Sequence, residues 1–218
     1  MRIFLAGATG VLGRRLLPML VSTGHEVTAM TRSSSRCPAL VAAGADAVVC
    51  DVFDRDRLYD LLEAARPEVV IHQLTAIPKR MNPRRIDKEM TRTNRLREQG
   101  TKSLCDAAIA AGARRLISQS IAFALRPDGG GLGREEEPLY LDAPPLFAPM
   151  IAAVHSLEQT TCQNEGIEGV ALRYGYFYGP GSIYGPQGSF TEDVQRRKVP
   201  ISGAGEAVFS FVHIDDAA

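Results

Sequence analysis

Three glycines near the amino terminus constrain this chain more than any other feature. Residues 2–6 form a short apolar run typical of a buried strand, and residues 11–23 carry apolar side chains at a helical period. Between them, the first glycine of such a strand–turn–helix unit permits a tight turn. The second lets backbone approach a diphosphate, and the third lets the helix pack closely on the strand. The pattern predicts a dinucleotide site formed by Gly7, Thr9, Gly10, Val11, Leu12 and Gly13.

Strand-like and helix-like segments alternate after the glycine turn. Near-continuous apolar strands separated by helices indicate a parallel sheet covered on both faces. We therefore predict the α/β class, a doubly wound parallel sheet with the Rossmann fold, over residues 1–175. Glycines and prolines then become frequent, and we expect residues 176–218 to begin a small C-terminal substrate lobe that is truncated. The predicted strands are 2–6, 26–31, 46–50, 68–73, 114–119 and 168–172, and the predicted helices are 11–23, 37–43, 54–65, 87–111 and 148–165.

The end of the second strand predicts which dinucleotide is bound. Proteins that bind NAD(H) in this fold place an acidic residue about 20 residues after the glycines, where it bonds the ribose 2′-hydroxyl. This chain has Arg32 at that place, followed by three serines. A guanidinium suits the 2′-phosphate of NADP(H), so we expect NADP(H) rather than NAD(H). Asp51 and Val52, after the third strand, are expected at the adenine edge, although Asp51 could equally cap the next helix.

Bulk composition argues against several classes of partner. Lys and Arg together number 25, as do Asp and Glu, so the net charge is zero and nothing indicates nucleic acid or an anionic membrane surface. No apolar run approaches the ~20 residues that a membrane span requires. The 4 cysteines lack metal-ligand spacing, which favours reduced thiols in a cytoplasmic protein and predicts no metal site.

Further motifs follow the glycine turn in a fixed order. They are Val70–Gln73, Asn94 with Gly100-Thr101, Ser118–Ser120, Leu172–Gly181 and Phe211–Asp216. Together they resemble the extended short-chain dehydrogenase/reductase superfamily, the group of NAD-dependent epimerases and dehydratases. The resemblance implies that His213 and Asp215 position the substrate lobe, and we interpret His72, inside a strand, as structural. It also implies cofactor contacts from Leu74, Thr75, Ala76 and Asn94.

The catalytic motif of that superfamily is incomplete in this chain. The resemblance implies a Ser or Thr, a Tyr, and a Lys four residues after the Tyr; Ser120 matches the first, at the end of the fifth strand. Glu158 fits a helical Glu that normally follows the Lys by four residues. The Lys position is then Val154 and the Tyr position is Met150. Neither side chain transfers protons, so the usual mechanism of carbonyl reduction lacks its proton donor.

Three explanations of this loss stay open. Another group takes the proton role, with His155 and Tyr176 as the main candidates beside Tyr174 and Tyr178, all of which alternatively serve in packing. Or the protein only binds the cofactor, as the resembling NmrA-like redox sensors do. Or positioning and hydride transfer suffice, with the proton coming from water. We expect an atypical oxidoreductase that acts with NADP(H) on a small organic substrate, with Ser120 orienting a substrate oxygen. A non-catalytic redox sensor and a nucleotide-sugar epimerase or dehydratase are the alternatives.

A basic run follows the fourth strand, at the sheet end where a substrate would enter. From Lys79 to Arg97 there are eight basic and two acidic residues. The run predicts attraction of an anionic substrate or, alternatively, a solvated helix face neutralised by the acidic stretch Glu135–Glu137. Residues 129–133 are rich in glycine and predict a flexible loop that acts as a lid.

The resemblance also predicts a homodimer. Members of the superfamily often pair through the long helix and the helix with the Tyr and Lys positions, which are residues 87–111 and 148–165 here. We expect the second helix to expose Met150, Ile151 and Val154, an apolar face that a second copy would cover.

Overall fold

The computed structural model describes residues 1–82, 85–127, 133–201 and 203–218, and a parallel sheet lies at its centre. The strands are β1 (Arg2–Ala6), β2 (Glu26–Thr31), β3 (Asp46–Val49), β4 (Val69–His72), β5 (Arg115–Ile121) and β6 (Glu168–Tyr174). They are ordered β3-β2-β1-β4-β5-β6, so the predicted doubly wound sheet is confirmed. The strand order reverses between β1 and β4. Ligands bind in open α/β sheets at the carboxyl ends of strands beside such a reversal.

Helices cover both faces of this sheet. They are α1 (Gly13–Ser22), α2 (Cys37–Ala42), α3 (Arg55–Ala65), α4 (Ile86–Glu89), α5 (Thr91–Arg95), α6 (Thr101–Ala110), α7 (Ala148–Cys162) and α8 (Ser189–Gln195). On one face, side chains of α1 and α2 pack against Leu5 and Ile71. On the other face, α3 and α6 pack against Phe4 and Val70. Neighbouring residues of a strand thus enter different cores, which is the period of two expected for strands buried on both faces.

The long helix predicted at 87–111 is interrupted in the structure. After α5, one π-helical turn (Leu96–Gly100) leads into α6. A π turn contains an extra residue, so it changes which side chains face the protein interior. Gly100 ends the turn close to the core, where a Cβ would lie 3.3 Å from a methyl group of Val52. Such turns are frequent at functional sites, and this one carries Arg97.

A second, small sheet forms after residue 175. β7 (Tyr176–Tyr178) pairs in parallel with β8 (Phe211–His213). Tyr176 and Phe211 lie with their ring centroids 5.6 Å apart, and Tyr178 and His213 with theirs 5.0 Å apart. The sequence predicted a lobe here without predicting this sheet. His213 also fills the space beside Gly179, which supports its interpretation as a structural residue.

Membrane spans and metal sites are absent from the part of the chain that the structure describes. Within those residues no helix is long and apolar enough to cross a membrane. Nor do they contain a group of three or more His, Cys, Asp or Glu side chains that could hold a metal ion. The lid predicted over residues 129–133 lies outside the described residues apart from Gly133, as does Arg84 of the basic run.

Gly169→Ala is expected to destabilise the protein strongly. A Cβ at this position of β6 would lie 1.6 Å from the carbonyl oxygen of Thr161, so α7 and the strand would have to separate. Gly24→Ala is the matched control, because a Cβ there meets nothing within 4 Å and the cost is the strain of a φ of +83°. That strain amounts to roughly 1–2 kcal/mol. Urea unfolding should give Gly169→Ala a loss at least about twice as large; equal losses would contradict the packing argument.

Candidate cofactor and reaction site

The glycine turn has the geometry of a diphosphate site. Gly7 has a φ of +97°, and a Cβ there would lie 2.5 Å from the carbonyl oxygen of Gln73, so the ends of β1 and β4 meet at this residue. A Cβ on Gly13 would lie 2.3 Å from the Gly7 carbonyl oxygen. Gly10 is exposed, and no side chain caps the first turn of α1. Amides at an uncapped helix start are available to an anion, so a dinucleotide diphosphate fits this turn.

The remaining residues of the predicted turn differ in exposure. Thr9 and Val11 are partly exposed beside Gly10. Leu12 is only 4% exposed, so its side chain belongs to the core and only its backbone is available to a ligand. The turn therefore offers backbone amides to the diphosphate.

Arg32 lies at the end of β2, on the same sheet edge as the glycine turn. It is exposed, and among the described residues it has no ion-pair partner. The backbone amide of Ser33 donates to the Thr31 hydroxyl at 3.2 Å, and the Ser33 and Ser35 hydroxyls lie 2.7 Å apart. This hydroxyl-lined loop leaves the guanidinium available to a phosphate.

The residues predicted at the adenine edge have other contacts. An oxygen of Asp51 accepts the backbone N–H of Phe53 at 3.1 Å. Asp54 is the residue that caps α3, since its side chain accepts the Arg57 N–H at 3.3 Å. The Val52 side chain is fully buried, so only its backbone could border a cofactor. The suggestion that Asp51 caps the helix is therefore wrong, because Asp54 does so.

The segment after β4 links the sheet to α5. Leu74, Thr75 and Ala76 are partly exposed, as expected for a site wall. The Ala76 amide donates to the Thr93 hydroxyl at 3.1 Å. Asn94, the next residue, is 8% exposed, and its side-chain oxygen has no hydrogen-bond partner. Asn94 is therefore the neighbour of Thr93, which contacts the site wall, and its side-chain oxygen is still able to accept a hydrogen bond.

His72 is a structural residue, as the sequence indicated. It is 1% exposed, and its Nε2 lies 3.0 Å from the Thr101 hydroxyl. Its Nδ1 accepts the backbone N–H of Leu74 at 3.2 Å. Burial, aided by the positive charge of Arg97, lowers the pKa of His72 to about 4. A neutral imidazole thus fixes the end of β4 against α6.

The Tyr and Lys positions lie in an apolar cluster. Val154 is 1% exposed, Ile151 is 3% exposed, and Met150 is partly buried. The expectation that α7 exposes these side chains to a second copy is therefore wrong for Ile151 and Val154. They are covered from within the chain by Ile121, Ala124, Leu139 and Ala143. Burial of these side chains therefore removes one reason to expect a homodimer, and the homodimer stays a prediction.

Ser120 is held in a polar network on α7 and β6. It is 1% exposed, and its hydroxyl donates to Glu158 Oε1 at 2.5 Å. Both oxygens of Glu158 also accept from Arg173, at 2.9 and 2.8 Å. Burial acts to raise the pKa of Glu158, but hydrogen bonds from Arg173 and Ser120 outweigh it, so the pKa is lowered. The sequence identified Ser120 and Glu158 separately, and the structure joins them.

The other proton-transfer candidates lie in different surroundings. Tyr176 stacks on Phe123, with centroids 4.2 Å apart and planes 5° from parallel. Burial, with a contribution from Tyr184, raises the pKa of Tyr176 to about 12, so its phenol is a weak acid in these packed surroundings. Burial also raises the pKa of Tyr174. His155 is partly exposed in a groove on α7 that Glu158 and Arg173 also line.

The basic run is not one solvated face. Arg80 pairs with Glu192 and with Asp193, the latter at 2.7 Å, so α8 neutralises it. Arg95 lies over the ring of Phe53, 3.9 Å from its centroid. Arg97 is buried. The acidic stretch Glu135–Glu137 does not neutralise the run in the described residues; there its backbone carbonyls accept from Arg173 instead.

Sequence reasoning missed one feature near the end of β4. Three buried side-chain atoms have no hydrogen-bond partner in the described part of the chain: Gln73 Oε1, Asn94 Oδ1 and Arg97 Nη1. Buried polar groups are normally paired, so unpaired ones mark a place where water or a ligand binds. The available signal was the spacing of Asn94 and Arg97, which places both on one face of a helix.

The chain matches known proteins over nearly its whole length. The model of the NAD dependent epimerase/dehydratase family matches residues 3–218. A 3-diazoavenalumate denitrifying reductase from a Streptomyces species is 45% identical over 218 residues, which are 100% of this chain and 69% of the relative. A 4-hydroxy-2-methyl-3-oxo-4-farnesyl-3,4-dihydroquinoline-1-oxide ketoreductase from Stigmatella aurantiaca is 31% identical over 166 residues, 76% of this chain and 46% of the relative.

Solved structures share the fold. A UDP-glucose 4-epimerase from Thermotoga maritima with UDP-glucose has a TM-score of 0.76 at 24% identity, covering 100% of this chain and 71% of that one. A dTDP-glucose 4,6-dehydratase from Streptomyces venezuelae with NAD has a TM-score of 0.77 at 20% identity, covering 100% of this chain and 69% of that one. At these identities the likeness shows the fold.

Val154→Lys is expected to cost about 2–4 kcal/mol of stability, because it buries an ammonium among aliphatic side chains. Ala152→Lys on the same helix is the control, since Ala152 is exposed and a lysine there reaches water. Urea unfolding of the two variants measures the difference. Met150→Tyr combined with Val154→Lys should be no more active than the unmodified protein. Equal stability of the two lysine variants would show that position 154 still accepts the superfamily's lysine.

Proposed function

Because this chain belongs to the NAD-dependent epimerase/dehydratase family, we propose that it is a reductase that uses NADP(H) to replace the diazonium group of a small organic carboxylate by hydrogen. The observation that carries the proposal is the apolar cluster at the Tyr and Lys positions, where Val154 is 1% exposed. The relative at 45% identity, named a denitrifying reductase of a diazo compound, suggests the reaction.

Reduction of a diazonium carbon requires no proton from the protein. The dinucleotide, when bound in its reduced form, supplies a hydride. A C–H bond forms, the C–N bond breaks, and dinitrogen leaves with the bonding electron pair, so a cation and a hydride give a neutral carbon centre. Carbonyl reduction instead produces an alkoxide that must be protonated, which is the task of the missing Tyr. Met150 and Val154, which carry no transferable proton, suit the reduction of a diazonium carbon and not the reduction of a carbonyl.

The contacts of the other candidates support the same conclusion. The Ser120 hydroxyl already donates a hydrogen bond to Glu158, and Arg173 holds that carboxylate. Tyr176 is stacked within an aromatic cluster, and burial raises its pKa to about 12, so its phenol is a weak proton donor. We therefore assign Ser120, with Glu158 and Arg173, to positioning the end of β5. His155, beside Glu158 on α7, stays the candidate for a proton donor if one is needed.

The preference for NADP(H) rests on Arg32. Its side chain is exposed at the end of β2, and no carboxylate of the described residues neutralises it. Asp and Glu, which would favour NAD(H) at this place, are absent from Thr31–Arg36. The related dehydratase structure contains NAD, so cofactor choice differs from that neighbour in this proposal.

We propose that the two sheets correspond to two functional parts of the chain. We assign dinucleotide binding to residues 1–175 and the start of a substrate lobe to residues 176–218. Phe209 and Phe211 are at least half exposed around Tyr176, which offers an apolar wall to a flat substrate. A cytoplasmic location stays a prediction from the sequence.

Arg32→Asp is expected to weaken NADPH binding by roughly ten-fold or more, because it replaces a phosphate partner by a like charge. NADH, which lacks the 2′-phosphate, should bind the variant about as well as it binds the unmodified protein. Arg196→Asp, at the exposed end of α8, is the control for a change in net charge. Calorimetric titration of both dinucleotides measures the effect. Equal affinity of the unmodified protein for NADH and NADPH would overturn the assignment.

The reaction is tested with two substrates that share a carboxylate: diazotised para-aminobenzoate and para-acetylbenzoate. With NADPH, we expect benzoate and dinitrogen from the first, with one NADPH oxidised for each dinitrogen released, and no turnover of the ketone. Loss of nicotinamide absorbance and gas release are measured together. Turnover of the ketone alone would favour a ketoreductase, as the relative from Stigmatella is named. NADPH binding without turnover of either substrate would favour a redox sensor.

A further inference from the structure

Arg97 is a buried cation without a partner in the described residues. Its side chain is 5% exposed, and its Nη1 has no hydrogen bond there. Burial lowers its pKa to about 10. An isolated buried charge is costly, so a partner is expected from outside the protein. Six other arginines of the described residues have carboxylate partners: Arg15, Arg55, Arg80, Arg115, Arg126 and Arg173.

Arg97 lies near the carboxyl end of β4, beside the cofactor turn. Its charge acts on His72, the last residue of that strand. Gln73 follows, and its carbonyl oxygen is the atom that a Cβ on Gly7 would strike. Asn94, three residues before Arg97, is buried with an unpaired oxygen and adjoins Thr93, which holds Ala76. These observations place Arg97 near the end of β4, on the helical segment whose Thr93 side chain contacts residue 76.

The π turn that carries Arg97 also packs against α7. That helix holds Val154 at the position where the superfamily has its lysine. The described side chains of α7 include no lysine or arginine. The lysine that the resemblance implies on α7 is thus absent. A different cation, Arg97, is buried without a partner in the described residues, on the turn that packs against α7. Arg80 and Arg95 of the basic run are engaged elsewhere, by α8 and by Phe53.

We infer that Arg97 binds the carboxylate of the substrate. The inference rests on the proposed function for the nature of the substrate, which the name of the diazo relative suggests is a carboxylate. A guanidinium binds a carboxylate through two parallel N–H donors, which fixes the direction of the carbon frame as well as its place. The diazo carbon would then be held at a set distance from the cofactor turn.

Binding of a product-like carboxylate tests this without any turnover. Benzoate and its neutral analogue benzamide are titrated calorimetrically into the protein loaded with NADP⁺. We expect benzoate to bind more tightly, and Arg97→Met to weaken benzoate binding on the order of 10- to 100-fold. Arg97→Lys should recover part of the lost benzoate affinity, because lysine keeps the positive charge but lacks the two parallel N–H donors of the guanidinium. Arg95→Met, two residues away over Phe53, is the matched control and should leave benzoate binding unchanged.

The controls separate the possible failures. NADP⁺ binding to Arg97→Met must stay within about two-fold of the unmodified protein; loss of NADP⁺ affinity with unchanged benzoate affinity would assign Arg97 to the cofactor and overturn the inference. If Arg97→Met does not fold, the unmodified protein still decides, because equal affinity for benzamide and benzoate overturns charge recognition. Selective benzoate binding without diazo turnover would support Arg97 while refuting the proposed reaction.

Discussion

The contact between Gly7 and the carbonyl oxygen of Gln73 is the constraint on which the site depends. A Cβ at Gly7 would lie 2.5 Å from that oxygen, so only glycine lets the end of β1 approach the end of β4 this closely. This approach forms the crevice where the strand order reverses, and it places the uncapped start of α1 beside residues 74–76. The candidate diphosphate site and the proposed reaction site would therefore share one piece of backbone packing.

The proposed chemistry follows from the residues of α7. At the positions predicted for the superfamily's Tyr and Lys, α7 has Met150 and Val154, which belong to an apolar cluster that includes Leu139 and Ala143. An apolar wall cannot protonate an alkoxide, but it is compatible with a hydride acceptor whose leaving group is dinitrogen. The cation that an anionic substrate needs comes, in this account, from Arg97 on the neighbouring π turn. In the proposed function, this difference from the superfamily's motif corresponds to a change of reaction.

Local features of this protein were predictable and long-range ones were not. The glycine turn, the six strands and the exposed Arg32 follow from residues that are close in sequence. The burial of Val154 depends on Leu139 and Ala143, which return to α7 from a loop, whereas the resemblance, which places a catalytic face on this helix, suggested exposure. Burial of Arg97 depends on a π turn inside a predicted regular helix. The Ser120–Glu158–Arg173 network joins β5, α7 and β6, and only the fold brings these three together.

The central claim is that hydride transfer proceeds here without a proton from the protein. Isotopes test it most directly, with diazotised para-aminobenzoate and NADPH deuterated at the transferred position, in ordinary and in heavy water. The account predicts that the cofactor's deuterium appears at the carbon that carried nitrogen, that no solvent deuterium appears there, and that kcat/KM is the same in both solvents. Solvent deuterium at that carbon, or a several-fold slower reaction in heavy water, would contradict it.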